Sequence, residues 1–166
     1  MAIQSGQGEE ALCMHFTKDA DEHLVALQQR TQVDSRSTVV LNALRLFDHI
    51  VIAAADGAEI NLGREGDDAW RSVDVFRPLH ADEADIQDDE GVFRLSLDLT
   101  DEARQRLEWM RDKLRCQSVF EVVRRALAFY EHVVIRLAEG FKLYVIRGDD
   151  VLEVTEIPGI PEPVLN

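Results

Sequence analysis

The side chains of this 166-residue chain that invite chemistry are five histidines (His15, His23, His49, His80, His132), two cysteines (Cys13, Cys116) and two Gly-Asp-Asp triplets. Cys13 and His15 alternate as strand residues do and make half of a zinc-type donor set, but no second Cys or His accompanies them at ligand spacing. His49 and His132 fall off the apolar stripes of their helices, which assigns them to a surface, and His23 and His80 have no suggestive neighbours. Gly66-Asp67-Asp68 and Gly148-Asp149-Asp150 have the composition of tight turns, where glycine supplies positive φ and aspartate bonds the local backbone. Neither cysteine has a metal-ligand spacing or a matched partner, so both are expected as free thiols. Nucleophile motifs, phosphate loops and dinucleotide fingerprints are absent from the sequence. The expectation is a protein that is not an enzyme and needs neither metal nor cofactor.

Charge narrows the partners. Lys and Arg number 18 against 32 Asp and Glu, a net −14. Residues 1–83 hold 7 basic and 15 acidic residues, and residues 84–166 hold 11 and 17. Neither half is a basic body ready to dock on a phosphate backbone. No run of 18 apolar residues marks a membrane span. Met1 to Glu10 is polar and lacks an apolar signal core, so a cytoplasmic location is expected.

The elements that must carry these side chains are written twice. Residues 17–62 align without a gap on 100–145, at an offset of 83, with 13 of 46 positions identical. Average residue usage would give about three. Thr17/Thr100, Ser35/Ser118, Ala43/Ala126, His49/His132 and Gly57/Gly140 are among the identities, and Phe47/Tyr130 and Ile60/Leu143 are conservative exchanges. A tandem duplication follows, and it governs every later inference about the fold.

Each copy reads as strand, helix, helix, hairpin. Phe93 to Leu99 alternates strictly, the period of a half-buried strand, with Leu95, Leu97 and Leu99 inward. Leu12, Met14 and Phe16 are the corresponding inward residues of copy one. Thr100 opens a helix whose stripe is Ala103, Leu107, Met110 and Leu114; Asp101 and Glu102 suit its positive end. Ser118 and Glu121 form a capping box for a second helix striped with Val122, Ala126, Tyr130, Val133 and Leu137. Glu139-Gly140 stops it. Copy one repeats this with Thr17, Leu24 and Leu27, then Ser35 and the stripe Val39, Ala43, Phe47, Ile50 and Ala54. Strands are expected at about 59–62 and 70–76, and again at about 141–146 and 151–157. The turns there are offset by 82, which implies one residue gained or lost. The boundaries are 11–76 for copy one with its hairpin, 77–91 for an acidic linker, 92–157 for copy two with its hairpin, and 158–166 for an irregular tail.

A short strand, a helix and a Ser-capped longer helix resemble the ribbon-helix-helix family of DNA-binding regulators, of the MetJ/Arc type. The resemblance is carried by Arg94-Leu95-Ser96-Leu97-Asp98-Leu99-Thr100, by Leu107 and Met110, and by Ser118 to Leu127. In copy one it is carried by Ser35 to Leu44. It covers about 45 residues of each copy. It implies an α+β fold in which tandem ribbon-helix-helix repeats form a pseudo-dimer: a two-stranded antiparallel ribbon over four core helices, each copy followed by a β-hairpin. An isolated two-stranded ribbon is marginal, so the helices must cover one face. A linker of this length spans about 50 Å when extended, enough for pairing within one chain. A homodimer that pairs each copy with its twin is the competing arrangement.

The resemblance also implies a function, a DNA-binding transcriptional regulator whose outward ribbon residues read bases in the major groove. Those residues would be Ala11, Cys13 and His15 in copy one and Arg94, Ser96 and Asp98 in copy two. Phosphates would be held at the starts of the second helices, by Ser35, Arg36 and Ser37 and by Ser118 and Val119. Composition pulls the other way: readers of bases are typically Arg, Lys, Asn or Gln, and the net charge disfavours duplex DNA. The alternative is a degenerate module that has lost DNA binding and serves acidic protein interaction or assembly. Basic residues on the helices of copy two (Arg104, Arg106, Arg111, Lys113, Arg115, Arg124, Arg125) read as a solvated face.

Overall fold

A computed structural model describes residues 10–64, 66, 70–77 and 93–160. The acidic linker, apart from Arg77, lies outside these residues, as do His80 and most of the Gly66-Asp67-Asp68 turn. The fold is α+β, with four helices and two small antiparallel sheets. In chain order it runs β1 (Glu10–Phe16), α1 (Lys18–Thr31), α2 (Arg36–Ala55), β2 (Glu59–Gly63), β3 (Arg71–Val73), β4 (Phe93–Leu99), α3 (Asp101–Leu114), α4 (Val119–Ala138), β5 (Lys142–Arg147) and β6 (Asp150–Glu153). The bounds of β1, α1 and α2 recur 83 positions later as those of β4, α3 and α4.

The local chemistry repeats with the bounds. Thr17 and Thr100 cap α1 and α3, each Oγ1 accepting from the N–H three residues on, at 3.2 and 3.1 Å. Both helices end on a residue in the left-handed region, Gln32 and Arg115, each at φ 56°. Neither is glycine, and each backbone N–H reaches back to a carbonyl of the last turn, Gln28 and Arg111. That sharp reversal delivers the chain to Ser35 and Ser118, which cap α2 and α4.

β1 and β4 form one sheet, antiparallel within the chain, with Leu12 opposite Leu97 and Met14 opposite Leu95. Its centre is Cys13 opposite Ser96, two residues that are each other's counterparts in the repeat. Met14, Phe16, Leu97 and Leu99 turn inward and are buried, as the alternation predicts. Beneath them α2 packs on α4, with Val39, Val40, Ala43 and Ile50 against Val122, Val123, Ala126 and Val133, and Phe47 tilted against Phe129 at 5.7 Å between ring centres. By length and composition α2 could cross a bilayer, yet more than half of it is buried inside the protein.

The hairpins depart from expectation in three ways. They are not separate, because β2 pairs with β5 and joins them into one sheet of order β3-β2-β5-β6. Its centre, Asn61 opposite Tyr144, is again a pair of repeat counterparts. The outer strands are shorter than expected, and their pairing is offset by 81: Leu62 faces Arg71, whereas its counterpart Val145 faces Leu152. Copy one therefore carries two extra residues in the hairpin loop rather than one. Trp70 stacks on Tyr144 at 4.4 Å and lies over Gly63, where a Cβ would meet the indole at 2.6 Å. Finally, Ile157 to Ile160 is a hydrogen-bonded turn rather than irregular chain, and a similar turn, Asp74 to Arg77, follows the first hairpin. The buried Tyr130 hydroxyl donates to the Pro158 carbonyl at 2.5 Å.

Polar contacts tie the elements at fixed points. Arg106 on α3 reaches Asp48 on α2 at 2.8 Å, and at the counterpart positions His23 on α1 reaches Glu131 on α4 at 2.9 Å. Arg36 grips Asp21 through two nitrogens, at 2.6 and 3.0 Å, with the Asp21 side chain only 7% exposed. Arg36→Met keeps the aliphatic stem and strands that carboxylate. Denaturant unfolding is expected to show a loss of about 1–3 kcal/mol or more, the cost of a buried acceptor without its donor, against about 0.5 kcal/mol or less for exposed Arg94→Ala.

A candidate nucleic-acid interface on the two-stranded sheet

The sheet of β1 and β4 has one face on the core and one toward solvent, and the period of two decides which side chains stand on which. Ala11, Cys13, Arg94, Ser96 and Asp98 are exposed and His15 is half-buried. The structure therefore brings all six residues named for this face onto one surface. Across it His15 stands opposite Arg94, Cys13 opposite Ser96, and Ala11 opposite Asp98.

The middle of the face is a small polar cluster. An Arg94 guanidinium nitrogen donates to the Cys13 Sγ at 3.4 Å, and the Ser96 Oγ lies 3.4 Å from the same sulfur. The Arg94 hydrogen bond, helped by Ser96, lowers the Cys13 thiol below its ordinary range. Cys116 is the opposite case. Burial, together with its hydrogen bond to the Glu121 carboxylate, pushes its thiol up to about 12.

The starts of α2 and α4, expected as phosphate cradles, are already furnished. Ser35 Oγ accepts from the Thr38 N–H at 3.1 Å and lies 3.0 Å from its hydroxyl. Arg36, instead of projecting as a loose cation, is held by Asp21 and lies 6.0 Å from the ring centre of Phe93 on β4. Ser37 is half-buried beside it. At α4 only half of the expected capping box forms: Ser118 Oγ accepts from the Glu121 N–H at 3.3 Å, but the Glu121 carboxylate accepts from the Gln117 N–H, one residue before the cap, at 2.9 Å. Burial would raise the Glu121 carboxyl, but the Gln117 N–H, the Cys116 thiol and Arg125 and Arg124 bring it below its usual range. Val119 is half-buried against the core and offers only its backbone.

Several basic residues assigned to a solvated face have specific partners. Arg106 pairs with Asp48 and lies 4.5 Å from the Trp109 ring centre, and Arg125 reaches the carbonyls of Leu114 and Phe76. The acids that hold Arg36 and the Gln117 N–H, Asp21 and Glu121, are not among the site residues expected from sequence. A signal for the first was present: Asp21 and Arg36 are replaced together in copy two, by Arg104 and Val119. His49 is exposed and His132 half-buried, away from the apolar stripe as read.

Comparisons of the chain with models of protein families, with curated proteins and with solved structures gave no match. The surface chemistry itself is what remains to assign a role.

The two thiols should separate cleanly. Alkylation of the folded protein near neutral pH is expected to modify Cys13 and leave Cys116 untouched until the chain is unfolded, read by intact mass. Because the Arg94 hydrogen bond favours the thiolate, Arg94→Ala is expected to move the inflection of Cys13 labelling to higher pH.

Proposed function

We propose that the chain is a single-chain ribbon-helix-helix pseudo-dimer, two tandem repeats sharing one ribbon and four core helices, that acts as a DNA-binding transcriptional regulator. The observation that carries this reading is the sheet of β1 and β4: two counterpart strands, paired about their own counterpart residues, with the inner face buried on helices and the outer face exposed. A two-stranded antiparallel β-ribbon is one of the few protein elements that fits a major groove about 12 Å wide. In this reading Arg94 addresses guanine O6 and N7, Ser96 and His15 add shorter-reaching polar contacts, and Asp98 accepts from cytosine N4. Backbone N–H groups at Ser35–Ser37 and Ser118–Phe120 approach the flanking phosphates, as helix starts can.

One observation favours a second reading. Asp21 neutralises Arg36 and Glu121 occupies the start of α4, so both presumptive phosphate sites carry a carboxylate. A module diverted to binding a basic protein surface would tolerate that arrangement, and a DNA reader must offset it.

Fluorescence anisotropy against a genomic fragment library at low salt separates the two. The DNA reading expects a bound fragment whose affinity falls with salt, by about 0.9 in log K per log salt for each phosphate neutralised. Arg94→Ala should weaken it by about tenfold or more, matching the 1–3 kcal/mol of a bidentate base contact. Duplex binding absent throughout, together with a stoichiometric protein partner, would establish the second reading instead.

A further inference from the structure

The inner and outer faces of the β1–β4 sheet have diverged differently. Inward, counterparts remain alike: Leu12 and Leu95, Met14 and Leu97, Phe16 and Leu99. Outward, all three counterpart pairs differ in chemistry: Ala11 and Arg94, Cys13 and Ser96, His15 and Asp98. Antiparallel pairing then sorts these differences by end. His15 stands opposite Arg94 at one end and Ala11 opposite Asp98 at the other.

The helices that follow also differ, α1 starting with mixed charge and α3 with acids alone. α1 leaves the sheet at the His15/Arg94 end through Lys18 and Asp19, whereas α3 leaves the Ala11/Asp98 end through Asp101 and Glu102. The outer face thus offers the His15 and Arg94 side chains at one end and the Asp98 carboxylate with the Ala11 methyl group at the other.

We infer that the target of this surface is a non-palindromic duplex site, with a guanine under the Arg94 end and a cytosine or thymine-containing step under the Asp98/Ala11 end. The inference rests on the DNA-binding reading above. A symmetric ribbon meets a palindrome because its two ends are the same, and here they present different donor and acceptor patterns to the groove. Four residues separate Arg94 from Asp98, which is about 13 Å of strand, or about four base-pair steps at 3.4 Å each. The two specified positions should lie about that far apart, with Cys13 and Ser96 over the weakly specified steps between.

The test is selection from a fully randomised duplex library at low salt with the full chain, repeated with Arg94→Gln and with Asp98→Asn. Both positions are exposed, and unchanged thermal unfolding confirms that each variant folds. The expected result is a consensus without two-fold symmetry. Arg94→Gln should relax the guanine preference by about tenfold or more at one end only, and Asp98→Asn should change the preference at the other end only. A palindromic consensus, or variants that alter both ends alike, overturns this inference and leaves the DNA-binding reading standing. Enrichment of no duplex at all defeats the DNA-binding reading itself, and the inference with it.

Discussion

Everything in this molecule depends on mutual burial: neither half of the chain can cover its own leading strand. β1 has an apolar face made of Leu12, Met14 and Phe16, and its seven residues pair with β4 of the other copy rather than with a strand of their own. β4 is in the same position. Pairing the two satisfies the backbone groups along their shared edge and brings both apolar faces to the same side, where α1 packs on β1 and α2 and α3 pack on β4. The second sheet repeats the solution, since β2 of one copy and β5 of the other supply its centre. Two independent sheets, each centred on counterpart residues, make separation of the halves costly at both ends of the helical layer at once.

Against that shared interior, the polar contacts divide into those that both copies keep and those that one copy lacks. Asp48–Arg106 and Glu131–His23 occupy counterpart positions, each joining a first helix of one copy to the second helix of the other. Retention of acid and base in both places fits a role in the register between copies. Exposed pairs of this kind are worth about 0–1 kcal/mol, so they specify alignment more than they stabilise it. Asp21–Arg36 lies within copy one, and copy two has dispensed with both partners. There Val119 packs apolar instead, an exchange that buried ion pairs often tolerate without loss.

How much of this was legible before the structure follows from the range of each interaction. The strands, the four helices, their caps and the inward alternation of β1 and β4 are all local or periodic, and the sequence declares them. Thr17, Ser35, Thr100 and Ser118 cap as their types require. The β2–β5 pairing joins residues 79 to 87 positions apart and leaves no periodic trace, so the sequence reads as two separate hairpins. The same holds for the turn at Ile157–Ile160, which exists because Tyr130 and the buried Asn42 receive it. The polar side of the candidate site was read by residue type alone, and there the structure adds most: Arg36 is engaged by a carboxylate 15 positions away. Comparison of the two copies with each other holds information that composition does not, because a residue and its partner change together.

The net charge of −14 bears on function less directly than its size suggests. At physiological ionic strength the screening length is about 8 Å, so charges on the far side of the helical layer are muted where the β1–β4 sheet would meet a ligand. What a ligand senses at contact is the local set: Arg94, His15, Lys18 and Asp19 at one end, and Asp98, Asp101 and Glu102 at the other. The overall charge acts earlier, on approach, where like charge slows encounter with a polyanion and suppresses non-specific binding. A surface whose long-range field repels and whose near field is half cationic can hold a polyanion only where side chains and bases match. Such a protein would give up the sequence-independent affinity that basic DNA-binding proteins rely on, and would depend on contacts matched to its ligand.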